Sequence, residues 1–180
     1  LRRHQLAYGT YDLAWLPYYS SYNVLSRLTS PRGLSLLSYI DPVNYASRLD
    51  IPKLLINPTG DTYFLPDAAQ SYYSGLLEVK NLRYFPGADH DFRSVASPDP
   101  GGNEAVVGKL VPWFLSVSNA VALPTITWTK TTTTLTVQTS TTPSAVNLWQ
   151  STSNSRDFRG GGFLWTSTPV AVNGANTYPA

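Results

Sequence analysis

The sequence of 180 residues contains no cysteine, which excludes disulfides, thiolate metal sites and thiol nucleophiles together. It contains no methionine either and begins at Leu1, so it reads as a processed chain or a fragment. Charge is scarce: only 13% of the residues are Asp, Glu, Lys or Arg, about half the usual share, which leaves a largely neutral, hydroxyl-rich surface. The net charge of +2 is scattered, and Arg2 and Arg3 are the only adjacent Lys/Arg pair. Without a basic stripe interleaved with aromatics, nucleic acid is not an expected partner. No apolar run approaches the roughly 18 residues of a membrane span, and the N-terminus lacks the charged-then-apolar plan of a signal peptide. There is no G-x-G-x-x-G and no P-loop. Asp89, His90 and Asp91 are too few and too consecutive for a metal site, so neither a cofactor nor a metal is expected.

What is present suffices for a core, at 42% hydrophobic residues. In "HQLAYGTYDLAWLPYYSSYNVLSRL" the apolar positions Leu6, Leu13, Trp15 and Leu16 recur at roughly helical spacing until Pro17, which predicts short helices. In "IDPVNYASRL", Asp41 and Pro42 form an N-cap followed by proline at the first helical position. "KLLIN" after Pro52 predicts a buried strand, and "PDAAQSYYSGL" a helix starting near Asp67 and stopping at Gly75. "NLRYFPG" predicts a second strand. "NEAVVGKLVPWFLSVSNA" predicts a helix kinked by Pro112.

Strand, helix, strand, helix is the order that builds a parallel α/β sheet through right-handed crossovers. Two such units cannot cover both faces of a sheet, so the expectation is that further strands come from upstream of Leu1 or from another chain. Composition shifts near Leu123-Pro124, which divides the chain into an α/β part at 1–122 and a β part at 123–180. There "TITWTK", "TLTVQTS", "AVNLWQSTS" and "GGFLWTSTP" predict four strands of an incomplete β-sandwich. The tract "TKTTTTLTVQTSTTP" also fits a low-complexity linker, but Leu135 and Val137 alternate within it as in a half-buried strand.

Two residues stand out for chemistry. In "LLINPTGDTYFLP" a carboxylate, Asp61, follows the first predicted strand; in "FPGADHDF" His90 follows the second, 29 residues later. In α/β sheets working side chains gather past the carboxyl ends of strands, and an acid preceding a histidine on late strand ends is the chain order of the last two members of a serine hydrolase triad. The same two positions also fit unrelated loop residues, one forming a turn and the other ion-paired with its neighbours. The other histidine, His4 beside Arg2 and Arg3, reads as a surface residue. No G-x-S-x-G elbow is present, and Ser20, Ser21, Ser71 and Ser94 lack its flanking glycines. A triad serine is therefore expected before Leu1.

The stretches "IDPVNYASRLDIPKLLINPTGDTYFLPDAAQSYYSGL", "LRYFPGADHDF", "ALPTITW", "NLWQSTSNSRDFR" and "WTSTPV" resemble the C-terminal half of the PhoPQ-activated pathogenicity-related protein family. The resemblance implies an α/β-hydrolase-like fold with a C-terminal β-rich domain, Asp61 as triad acid, His90 as triad base, and a serine in a G-x-S-x-x-G-like elbow upstream. Pro58 departs from the small residue expected in that loop and would stiffen the approach to Asp61. Two readings follow. One is the C-terminal part of a secreted serine hydrolase cleaving an ester or peptide-like bond. The other is a non-catalytic protein whose β part, through Trp128, Trp149 and Trp165, recognises a protein, peptide or glycan.

Overall fold

The structure is a computed structural model, described here for residues 22–77, 79–93, 103–155, 157–159, 164–172 and 176–179. The helices expected from Leu6 to Leu16, together with His4 and Ser94, lie outside those residues. The described part opens with α1 (Val24–Arg27) and α2 (Pro31–Ile40). Helix α2 starts where Ser30 accepts the Gly33 N–H on its side chain and Pro31 takes the first turn, the same cap-then-proline signal that the sequence carries at Asp41-Pro42. Gly33 is there because the chain needs the space: a Cβ would lie 2.0 Å from the Arg27 carbonyl oxygen.

Strand β1 (Lys53–Pro58) runs parallel to β2 (Lys80–Phe85) in a register from Lys53↔Lys80 to Pro58↔Phe85. The apolar run Leu54, Leu55, Ile56 forms β1 because Pro52 and Pro58 bracket it. Between the strands the chain turns through 3₁₀ segments, Pro66–Ser71 and Tyr73–Gly75, and Pro42–Arg48 before β1 is also 3₁₀. Helix α3 (Asn103–Ser118) follows β2, runs through Pro112, and is tied back by the Trp113 indole N–H donating to the Asn81 side-chain oxygen at 2.9 Å. The rest is antiparallel. β3 (Ile126–Lys130), β4 (Leu135–Thr139) and β7 (Thr177–Pro179) form one sheet in the order β3-β4-β7, and β5 (Val146–Gln150) pairs with β6 (Thr166–Val170) in another.

This architecture corrects the expected fold class, the C-terminal portion of an α/β-hydrolase-like sheet followed by a truncated sandwich. The parallel sheet has two strands among the described residues, and its crossover is not an α-helix. Proline at one end and Gly75 at the other leave too short a segment to repay helix nucleation, so the chain settles for i→i+3 bonds such as Ala68 N–H to Leu65 O and Tyr72 N–H to Ala69 O. A sandwich fails for a different reason. It needs one buried face per strand, whereas β3 is exposed at all five positions and β6 at four of its five. With Ile126, Trp128 and Lys130 on one face of β3 and Thr127 and Thr129 on the other, neither face is continuously apolar. The result is a mixed set of small sheets.

The tightest packing lies elsewhere. Leu65, Ala69, Phe85 and Ala88 are buried, as are the polar Thr59 and Asp61, and all six belong to β2's last residue, the loops that follow β1 and β2, or the 3₁₀ turn beyond. Tyr178 on β7 is the buried apolar residue in the β part among the described residues.

Candidate active site

Asp61 and His90 meet in this packed region. The imidazole Nδ1 lies 3.1 Å from both carboxylate oxygens of Asp61, a bifurcated contact within hydrogen-bond range. A carboxylate only accepts, so the proton on this contact sits on Nδ1, and in the neutral ring Nε2 is the acceptor on the far side. The two side chains differ sharply in exposure, 41% for His90 and 4% for Asp61. Asp61 is enclosed and His90 has a face toward solvent.

A buried carboxylate is costly unless hydrogen-bonded, and Asp61 is supplied locally. Its Oδ1 accepts the backbone N–H of Tyr63 at 2.7 Å and of Phe64 at 2.9 Å, so the turn chemistry visible in "GDTYF" and the chemistry of the site are one arrangement. The aromatic rings of the same two residues then pack on the base: the Tyr63 and His90 ring centroids are 4.5 Å apart, tilted by 46°, and those of Phe64 and His90 are 5.7 Å apart.

Three cross-links hold the two loops in register beyond the strand ends. The Thr59 N–H donates to Phe85 O at 3.0 Å and the Gly60 N–H to Ala88 O at 2.8 Å, while the Gly87 N–H donates to the Thr59 hydroxyl at 2.8 Å in a buried bond. Gly87 has φ 73°, a left-handed conformation that glycine adopts without penalty. The loop bearing His90 is closed by Asp89, whose carboxylate accepts the N–H groups of Asp91 and Arg93 and whose own N–H donates to Arg93 O at 2.9 Å. Asp89 thus braces the loop through its backbone. Phe92, at φ 58°, takes a conformation that a bulky residue adopts only under constraint, and its ring sits edge-on against Phe85 at 5.5 Å.

On the other flank the Tyr84 hydroxyl donates to Pro66 O at 2.7 Å, anchoring the chain just after the Asp61 turn. Burial pushes the Tyr84 phenol above its ordinary value, and the neighbouring Tyr72 and Asp67 add to the rise. An apolar groove of about 620 Å³ opens at the other end of β1, where Lys53, Leu54, Leu55, Leu110 and Trp113 line it; it shares no residue with the Asp61–His90 pair. Among the described residues no group of three or more His, Cys, Asp or Glu side chains is placed to hold a metal ion, and no helix is long and apolar enough to cross a membrane.

Sequence reasoning singled out the acid and the base but missed what holds them. The Thr59 hydroxyl and the N–H groups of Tyr63 and Phe64 carry no type signature, since any residue supplies an amide. The available signal was Asp61 followed by two residues able to close an Asx turn.

The chain is 30% identical to autocrine proliferation repressor protein A of Dictyostelium discoideum over 135 residues, covering 69% of this chain and 24% of that protein. It therefore spans about a quarter of that relative's length. No solved structure matches it. The family described as PhoPQ-activated pathogenicity-related protein matches residues 1–159, a span that takes in the paired strands, Asp61, His90 and the loops that join them, and the chain belongs to that family.

Proposed function

We propose that this chain supplies the acid and the base of a hydrolytic site that cleaves an ester or peptide bond, with the nucleophilic serine carried on polypeptide outside these 180 residues. The observation that carries the reading is the buried Asp61 carboxylate held 3.1 Å from Nδ1 of a half-exposed imidazole. In that geometry Nε2 of His90 takes the proton from the serine hydroxyl as its oxygen attacks the carbonyl carbon, and Asp61 stabilises the imidazolium that forms. The proton then passes to the leaving alcohol or amine as the carbonyl–heteroatom bond breaks. Water attacks the acyl-serine in the same way, giving the free acid and the regenerated serine. The chain's coverage of about a quarter of its longer relative supports a division of the catalytic groups along a longer polypeptide. That relative's name, an autocrine repressor, supports a place outside the cell.

The test is labelling of the full-length protein by a serine-directed fluorophosphonate, with turnover of simple esters and peptides. His90→Ala is expected to lower the rate by about 10⁶-fold and Asp61→Asn by about 10⁴-fold. The 180-residue chain alone is expected to show no turnover above its His90→Ala variant. Undiminished labelling and turnover in full-length His90→Ala would sink the proposal.

One observation favours a second reading, recognition without catalysis: Trp128 on the edge strand β3 is 58% exposed, with Ile126 and Lys130 beside it on the same face, an open aromatic surface suited to stacking against a sugar ring or a peptide. Quenching or shift of its fluorescence by oligosaccharides or peptides, lost in Trp128→Ala, would support it.

A further inference from the structure

We infer that Tyr63 is a positioning residue for His90, fixing the plane of the imidazole through the same turn that fixes the acid. The inference rests on the reading of Asp61 and His90 as an acid–base pair and adds what keeps the pair aligned. A hydrogen bond from Nδ1 to a carboxylate constrains one atom of a ring that can still pivot about it. The imidazole here is 41% exposed on its side chain, so the protein core does not stop that pivot. Tyr63 does, because its ring centroid lies 4.5 Å from that of His90 at 46°, within the range of favourable aromatic contacts.

The placement of that ring is not independent of the acid. The Tyr63 N–H donates to Asp61 Oδ1 at 2.7 Å, so carboxylate and aromatic wall leave one short turn as a rigid unit and meet the imidazole from two sides. Phe64 continues the wall, its centroid 5.7 Å from His90, and its N–H reaches the same Oδ1. The consequence is a defined direction for Nε2, which any proton transfer to or from a substrate requires.

The experiment uses the full-length protein with ¹⁵N-labelled histidines, the His90 signals being identified by their loss in a His90→Gln variant. In the unchanged protein the His90 imidazole is expected to show a slowly exchanging Nδ1–H resonance and a bare Nε2, with nuclear Overhauser contacts between the His90 and Tyr63 rings. Tyr63→Leu, which keeps bulk but removes the aromatic face, is expected to lose the Nδ1–H resonance and draw the two ring nitrogens toward a common averaged shift; Tyr63→Phe is expected to restore the original pattern. If Asp61→Asn collapses the pattern while Tyr63→Leu leaves it intact, the positioning role is overturned and the acid–base pair stands. If the unchanged protein shows no Nδ1–H resonance, the pair itself is overturned and the positioning role with it. Absence of ring-to-ring contacts in the unchanged protein overturns the role whether or not any variant folds.

Discussion

Removing the Asp61 carboxylate should loosen the turn that follows it, and by a predictable amount. In Asp61→Ala the amides of Tyr63 and Phe64 lose acceptors at 2.7 and 2.9 Å. Hydrogen bonds to a charged group contribute about 1.5–3 kcal/mol each. Both amides share one oxygen, so the two contributions do not add in full, and water regains part of the loss where the turn reaches the surface; about 2–4 kcal/mol is the expected local cost. At about 1.4 kcal/mol per factor of ten, the Tyr63 and Phe64 amides should exchange with solvent deuterium about 30- to 700-fold faster. Asp61→Asn is the control. Its side-chain oxygen can still accept both amides, so exchange should rise by about tenfold or less, while the group that replaces Oδ2 beside His90 becomes a donor and no longer accepts from Nδ1. Site-resolved hydrogen exchange reads both variants without assuming a single global transition. If Tyr63 and Phe64 keep their protection in Asp61→Ala, the carboxylate is not what holds the turn, and the account of a buried acid satisfied by its own loop is wrong.

Other outcomes follow from the same geometry. Thr59→Val removes the buried acceptor of the Gly87 N–H and should cost about 1–3 kcal/mol, seen as faster exchange at Gly87 and a weakened His90 loop; unchanged exchange there would show that the cross-link is idle. Gly33→Ala places a Cβ 2.0 Å from the Arg27 carbonyl and 2.8 Å from the Leu28 Cα, both backbone, so relief requires moving α1 against α2 at a cost of about 1–3 kcal/mol, measurable as lost helical circular dichroism or protection in α2. The raised phenol of Tyr84 means that the fold prefers its neutral form. Stability from this group is complete below the ordinary tyrosine value of 10.0 and is lost as pH climbs through the higher folded value. Alkaline unfolding should accordingly soften in Tyr84→Phe, at the expense of the bond to Pro66 O, and an unaltered alkaline limb would argue against that linkage.

That Asp61 and His90 meet could be read from the sequence because both follow an apolar run ended by a proline-and-glycine break, and side chains at such breaks stand at strand ends. Strand positions were legible for the same reason: "KLLIN" and "NLRYFPG" are short, apolar and sharply bounded, and they became β1 and β2. The α2 helix carries the same start signal in Ser30-Pro31 that Asp41-Pro42 carries before the 3₁₀ turn. Helix type was not legible, since an Asp cap with proline after it starts a 3₁₀ turn as readily as an α-helix, and only later packing decides between them. Nor was sheet assembly. Alternation in "TLTVQTS" marks a strand but says nothing about whether a second layer lies opposite, and the exposure of β3 depends on partners that no local pattern encodes. Least visible of all was the support of the two loops, because it rests largely on backbone amides, held by the Asp61 and Asp89 carboxylates and the Thr59 hydroxyl.

The cross-links from Thr59 to Phe85 and Gly87, and from Gly60 to Ala88, join the two loops directly and bypass the residues between them. Distance along the chain and distance in space are thereby uncoupled where Asp61 meets His90. The chain at Leu76-Leu77 becomes a seam: extra residues inserted there would sacrifice contacts at the far end of the strands, such as the Lys80 ammonium on the Leu76 carbonyl, yet leave the loop-to-loop bonds untouched. A gene cut at that seam, its two pieces produced separately and mixed, offers a route to a split reporter whose signal is the reunion of Asp61 with His90.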